Sequence, residues 1–208
     1  MKESDKILHI GAGNSLLAEQ ILGDDRFPSR LSIENVDVSP VAVDRMNDHL
    51  DSIFGANSVS GSHPTSKKSK KKAGVTGPSD GRPWSRDQIS YKLLDVSDMP
   101  HEDESYDVVL DKGMLDAVLS HGEVETGENE LVKQVNREVF RVLKTSGYYI
   151  IISGMDSFLT MPYFLGDENV DWDVSHHSFK SRSPSNKTLR TLFFYILKKK
   201  ALLTEDGS

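Results

Sequence analysis

Apolar and polar positions along the chain alternate between two periods. Lys6–Ile10 is a short apolar run, closed by Gly11-Ala12-Gly13. Leu17 and Ile21 then repeat at helical spacing, which predicts a helix over Ser15–Leu22. A second run, Leu31–Val36, ends in Asp37 and is followed by Ser39-Pro40, a good N-cap and first helical residue. Val43, Met46, Leu50 and Ile53 continue as one helical face. Ile89–Leu94 ends in Asp95, and Tyr106–Leu110 ends in Asp111. Leu131, Val135, Val139 and Val142 mark a helix over Glu130–Leu143, with a turn at Ser146-Gly147 and strands at Tyr148–Ile152 and Thr191–Leu197. Strands that alternate with helices predict an α/β fold, with a mostly parallel sheet covered on both faces.

Between positions 56 and 87 the periodicity stops. This stretch is rich in Ser, Gly, Pro and Lys and contains Lys67-Lys68-Ser69-Lys70-Lys71-Lys72. It buries too little apolar surface to order itself, and we read it as a flexible insertion in a single domain spanning 1–208. Seven basic and two acidic residues give it a charge of +5, so the net −7 of the 208-residue chain places −12 on the rest. An acidic body argues against general nucleic-acid binding and would steer a basic protein substrate. The lysine cluster fits a solvated loop, or alternatively a nuclear import signal. Cysteine is absent, which excludes disulfides and thiolate metal sites. No apolar stretch approaches the ~20 residues of a membrane span, and the polar N-terminus carries no signal-peptide pattern. A cytoplasmic protein is the expectation. His176-His177 point to opposite sides of any strand, so no metal site is expected there.

The chemistry is carried by the strand ends. A strand, a glycine turn and a helix N-terminus in succession form a nucleotide-type cradle. In parallel sheets the ligand sits at the carboxyl ends of the strands, where this chain supplies Gly11-x-Gly13, Asp37, Asp95 and Asp111. Asp37 follows Gly13 by 24 positions, suited to ribose hydroxyls. Asp95 and the Val96 backbone suit an adenine edge, and Asp111 would stand nearest the reacting centre. Each aspartate has a plainer reading as a helix cap. Leu16 occupies the position where the dinucleotide fingerprint has its third glycine, which weakens a nicotinamide or flavin reading, and there is no phosphate loop. An adenosine ligand without phosphates fits better, and S-adenosylmethionine is one.

The chain resembles the class I S-adenosylmethionine-dependent methyltransferases, and more narrowly the group that includes the lysine methyltransferases of translation elongation factor 1-alpha. The matching pieces are Ile10-Gly11-Ala12-Gly13-Asn14-Ser15, Asn35-Val36-Asp37-Val38-Ser39, Leu94-Asp95-Val96 and Tyr106–Ala117, within which Asp111-Lys112-Gly113-Met114-Leu115-Asp116-Ala117 is the most specific. The resemblance implies a Rossmann-like, mostly parallel seven-stranded sheet. It implies S-adenosyl-L-methionine as cofactor, held by Gly11, Gly13, Asp37, Val38, Asp95, Val96 and Lys112. Family members carry a helical arm before the first strand that this sequence lacks.

The resemblance implies methyl transfer to a protein lysine as the activity. A lysine must first lose its proton, which costs about 4–5 kcal/mol at pH 7 from a pKa near 10.4. Asp111, Tyr163, Phe164 and Trp172 are candidates for the wall of the acceptor pocket, with Asp111 as the catalytic residue. Tyr163 and Phe164 fit a hydrophobic cluster equally well. The alternatives are a non-catalytic module that keeps the fold and a small-molecule methyltransferase that differs only in its acceptor pocket. A dehydrogenase is more distant. Oligomeric state is not legible in the sequence.

Overall fold

A computed structural model of the chain describes residues 5–54, 84–120, 129–182 and 188–201. Its elements run β1 (Lys6–Ile10), α1 (Leu17–Leu22), β2 (Ser32–Asp37), α2 (Pro40–Phe54), β3 (Ile89–Leu93), β4 (Tyr106–Lys112), α3 (Met114–Ser120), α4 (Glu130–Val142), β5 (Leu143–Ser153), α5 (Ser157–Thr160), α6 (Pro162–Leu165), β6 (Trp172–Arg182) and β7 (Leu189–Lys199). The seven strands form one sheet in the order β3-β2-β1-β4-β5-β7-β6. Pairing is parallel from β3 through β5, and β7 runs antiparallel between β5 and β6. This is the mostly parallel seven-stranded sheet the sequence predicts.

The apolar pattern explains the two layers. Alternate residues of a strand face opposite sides. Ile7, Ile33, Ile89, Val108 and Leu110 pack with Ala18 of α1 and with Val43, Met46 and Leu50 of α2. Leu8, Ile10, Val36, Val109, Tyr149 and Ile151 pack on the other side with Leu115 and Leu119 of α3 and with Val132, Val135, Val139 and Phe140 of α4. Ser39 caps α2 through its side chain, which accepts from the Ala42 amide at 3.3 Å, and Pro40 opens the helix. Asn129 caps α4 by accepting from the Val132 amide at 3.2 Å.

Several boundaries differ from the sequence prediction. α1 begins at Leu17 because the Ser15 hydroxyl accepts from the Leu17 amide at 3.3 Å. β5 begins at Leu143, so the predicted turn at Ser146-Gly147 lies inside the strand as an irregularity, with Ser146 at φ 66°. β6 has no apolar alternation to signal it, being an edge strand exposed over most of its length. The 56–87 insertion falls outside the described residues up to position 83. Its last part is ordered: Trp84 meets the Phe54 ring edge-on at 5.1 Å, and Arg86–Gln88 form a 3-10 turn.

Gly147 sits where β5 crosses the start of β4. A Cβ there would lie 2.8 Å from the Lys144 carbonyl oxygen and 3.0 Å from that of Asp107. Both are backbone atoms and cannot swing away, so Gly147→Ala is expected to lower stability by about 1–3 kcal/mol. Urea denaturation measures this, and an unchanged midpoint would show that the irregularity slides to make room.

Candidate functional site

Four strand ends converge at one edge of the sheet. β1 lies between β2 and β4, with Ile10 in register with Val36 on one side and Asp111 on the other. The chain crosses to the far side of β1 after β3, so this is the topological switch point where such sheets bind ligands. A cleft of about 720 Å³ opens there, lined by Gly11, Asp37, Val38, Asp95, Val96 and Lys112 among others. That volume is within the ~300–1,000 Å³ of small-molecule sites.

Gly11 turns the chain at φ 58°, a conformation L side chains seldom adopt. A Cβ at this position would also meet the Met114 side chain, with Cγ at 2.6 Å. Asp37 ties the turn together: Oδ2 accepts from the Gly13 amide at 2.7 Å and Oδ1 from the Ser39 amide at 2.8 Å. Gly13 therefore shapes the cleft through Asp37 and is not among its lining residues. Each Asp37 oxygen keeps acceptor capacity for a ribose hydroxyl. Val38 is 71% exposed and Leu131 45% exposed, and both line the cleft with Val96. Exposed apolar side chains around a concave opening suit the faces of a purine. Asp95 is exposed, and the Ser97 amide (2.9 Å) and hydroxyl (2.7 Å) both donate to its Oδ1. The Ser97 amide, with the hydroxyl adding to it, holds the Asp95 carboxyl below its ordinary range. Lys112 is exposed on the cleft wall beside Gly113. The donors and apolar plates fit S-adenosylmethionine: a carboxylate for the ribose, apolar faces for the adenine and a Cβ-free turn.

The proposed catalytic residue, Asp111, is placed elsewhere. It is 1% exposed and is not among the cleft's lining residues. Its Oδ1 accepts from the Met114 amide at 2.8 Å and its Oδ2 from the Leu115 amide at 3.1 Å, while the Tyr149 hydroxyl donates to Oδ2 at 3.4 Å. Asp111 thus caps α3 and holds the turn that carries Lys112 and Gly113. A buried carboxylate whose oxygens are so engaged cannot reach an acceptor in the cleft. Tyr163, Phe164 and Trp172 are not a pocket wall either. They are 3%, 2% and 5% exposed in the main core, where Trp172 packs edge-on against Phe140 and donates to Asn136 Oδ1 at 3.1 Å. Tyr163 and Phe164 are drawn inward because α6 packs against α4, and Trp172 because the start of β6 meets Phe140 and Asn136 of the same helix.

The sequence reading missed Leu94, Gly113, Met114, Ala117, Val118, Asn129, Leu131 and Val135, which complete the lining. Met114 and Ala117, inside the specific string, and Val118, just past it, recur on one helical face, and that spacing was the available signal. Under the cradle, His9 is 1% exposed. Its Nδ1 pairs with Asn35 Oδ1 at 2.8 Å, and Nε2 has no partner among the described residues. Burial lowers its pKa, so the ring is neutral near pH 7. A second cavity of about 370 Å³ lies at the opposite, amino-terminal end of the strands, around the Glu34, Lys6 and His101 side chains.

Comparison with known proteins accords with this geometry. A methyltransferase-domain family profile matches residues 52–151. The human eEF1A lysine and N-terminal methyltransferase is 33% identical over 156 residues, 74% of this chain and 16% of that protein. The mouse EEF1A lysine methyltransferase 4 is 28% identical over 183 residues, covering 85% of this chain and 56% of its own length. The chain thus spans only about a sixth of the length of the first of these relatives. Among solved structures, an S-adenosylmethionine-dependent methyltransferase from Methanosarcina mazei shares the fold with a TM-score of 0.59, at 14% identity, over 97% of this chain and 95% of that one. The N-methyltransferase NodS from Bradyrhizobium japonicum, solved with S-adenosyl-L-homocysteine, gives 0.56 at 11% identity over 95% and 79%.

Burial pushes the Asp111 carboxyl up to about 7, and the nearby Asp116 charge adds to this, while the two α3 amides and the Tyr149 hydroxyl resist it. The folded state then keeps a proton that the unfolded chain releases near pH 4. Its contribution to stability is complete below that pH and is lost as pH rises through 7. Against an Asp111→Asn control, wild-type stability is expected to fall by about 2–3 kcal/mol between pH 5 and pH 8. Urea melts at both pH values read this directly, and a constant difference would mean that Asp111 is ionised throughout.

Proposed function

We propose that the chain, whose residues 52–151 match a methyltransferase-domain family, is an S-adenosylmethionine-dependent methyltransferase that transfers a methyl group to a lysine side chain of a protein. The cleft at the switch point carries this reading, because Asp37, Gly11 and the exposed Val38 stand together where the cofactor of that family binds. The names of the relatives support the acceptor class, since the human protein is named an eEF1A lysine and N-terminal methyltransferase. When bound, S-adenosylmethionine supplies an electrophilic sulfonium methyl group.

The residues of this chain supply position. The Asp37 carboxylate takes the ribose hydroxyls and, through the Gly13 and Ser39 amides, fixes the turn that faces the ligand. Val38, Val96 and Leu131 enclose the adenine. Gly113 and the α3 residues Met114, Ala117 and Val118 line the same cleft and would border the bound cofactor. Holding two reactants in line accounts for most of the acceleration in such a displacement. A lysine that has first released its proton to solvent would present a neutral amine to the sulfonium methyl group, the C–N bond forming as the S–C bond breaks. With Asp111 closed off as the α3 cap, no dedicated base is assigned among the described residues, and positioning and desolvation carry the work. The net charge of −7 suits a lysine-bearing partner by attraction at a distance.

Calorimetric titration of S-adenosylmethionine is expected to show binding to the wild-type chain and a loss of at least tenfold in affinity in Asp37→Ala. Tritiated cofactor with purified eEF1A then tests transfer, and mass spectrometry of the labelled peptide separates a lysine acceptor from an N-terminal amine. Binding without transfer to any protein would favour a module that keeps the fold without the reaction.

A further inference from the structure

Asp116 belongs to the most specific string in the sequence, yet it neither lines the cleft nor caps a helix. It projects from the first turn of α3 to the loop that leaves β5. Its Oδ2 accepts from the Gly154 amide at 2.7 Å, and its Oδ1 accepts a short hydrogen bond from the Ser153 hydroxyl. Ser153 is 0% exposed, and its Oγ accepts in turn from the Met155 amide at 2.9 Å. The Met155 carbonyl accepts from the Tyr195 hydroxyl of β7 at 2.6 Å. The carboxylate therefore joins α3 to the end of β5 through two charge-assisted bonds, the stronger kind of hydrogen bond, and neutral bonds continue from there to β7.

The parts it joins differ in what they expose. α3 presents Gly113, Met114, Ala117 and Val118 to the cleft. The β5 loop runs through Asp156, which caps α5 by accepting from the Phe158 and Leu159 amides at 3.0 and 3.2 Å. It leaves Phe158 86% exposed and Leu159 41% exposed. Those apolar side chains stand at the carboxyl end of β5, two strands from the glycine turn, with nothing of the described chain covering them. A partner protein approaching the cleft from this side meets them first.

We propose that Asp116 is a positioning residue that sets the acceptor-facing loop, Gly154–Thr160, against the cofactor-facing helix α3. This rests on the methyl-transfer reading above. The cofactor cradle depends on Asp37 and on the Asp111 cap, so cofactor affinity is independent of Asp116, while acceptor turnover depends on it. An asparagine at 116 keeps the shape: its oxygen accepts from Gly154 and its amide donates to Ser153. Asp116→Asn therefore preserves function if placement is what matters, and fails if the negative charge acts on the acceptor amine. A displacement of about 1 Å at such a site costs roughly 10²-fold in rate.

The experiment compares wild type, Asp116→Ala, Asp116→Asn and Ser153→Ala as full chains. Three quantities are read: S-adenosyl-L-homocysteine affinity by calorimetry, amide exchange at Gly154 and Met155, and kcat/KM for methylation of eEF1A. In Asp116→Ala, affinity is expected to stay within about twofold, exchange at both amides to rise at least tenfold, and kcat/KM to fall by about 10². Ser153→Ala raises exchange at Met155, and Asp116→Asn recovers most of the protection and turnover. Unchanged exchange at Gly154 in Asp116→Ala overturns the proposal. So does an Asp116→Asn variant as impaired as the alanine, or a fall in cofactor affinity that matches the fall in turnover. If the wild-type chain binds no cofactor or labels no protein, the functional reading fails on its own, and the exchange data still decide whether Asp116 fixes the loop.

Discussion

The placement of β1 between β2 and β4 is the constraint on which the site depends. Parallel pairing brings the carboxyl ends of three strands to one edge, and the register aligns Ile10 with Val36 and Asp111. The glycine turn, the ribose carboxylate and the α3 cap all follow from that alignment. The Ala12 amide donates to the Val36 carbonyl at 3.0 Å, and the Leu94 amide to that of Asp37 at 3.0 Å, so the ladder extends one step past the strands into the loops. The loops are held by backbone bonds, and few side chains are needed to shape the cradle. Wherever β1 sits, the cleft follows.

The legible part of the sequence is the part in which backbone geometry and chemistry coincide. Gly11 had to be glycine for its φ and for the Met114 side chain, and Asp37 had to follow β2 to bond the turn, so both appear as local patterns. Val38, Asp95, Val96 and Lys112 were legible because they directly follow strands. Met114, Ala117 and Val118 were not, because the short α3 adds only seven residues of weak periodicity. The edge strand β6 escaped for another reason. With solvent along most of it, nothing forces its residues to alternate. The aromatic candidates failed because type and position in the sequence say nothing about direction. Tyr163, Phe164 and Trp172 lie after β5, as a pocket wall would, but the fold turns them into the core.

Asp111 shows how one residue type supports two readings until burial is known. An aspartate at the end of β4 can face a substrate or cap the next helix, and both place it at the same point in the chain. The structure puts it at 1% exposure with two α3 amides on its oxygens. Leaving those amides without an acceptor inside the core would cost about 1–3 kcal/mol each, so the carboxyl is retained although burial opposes its charge. Its proximity to the cleft is a consequence of holding α3, not of touching substrate.

The string from Asp111 to Ala117 is therefore better understood as architecture than as a list of contacts. Its first aspartate fixes the N-terminus of α3. Lys112 and Gly113 make the turn along the cleft, and Met114 and Ala117 line it. The second aspartate, Asp116, bonds the opposite flank of the helix to the end of β5. A helix of seven residues is too short to be stable on propensity alone, and here it is held by two carboxylates five positions apart. Such a helix behaves as a rigid spacer whose one side meets the cofactor and whose other side sets the acceptor loop. The distance between the two reactants is then a property of α3 and its two anchors, and a displacement reaction is sensitive to that distance above all else.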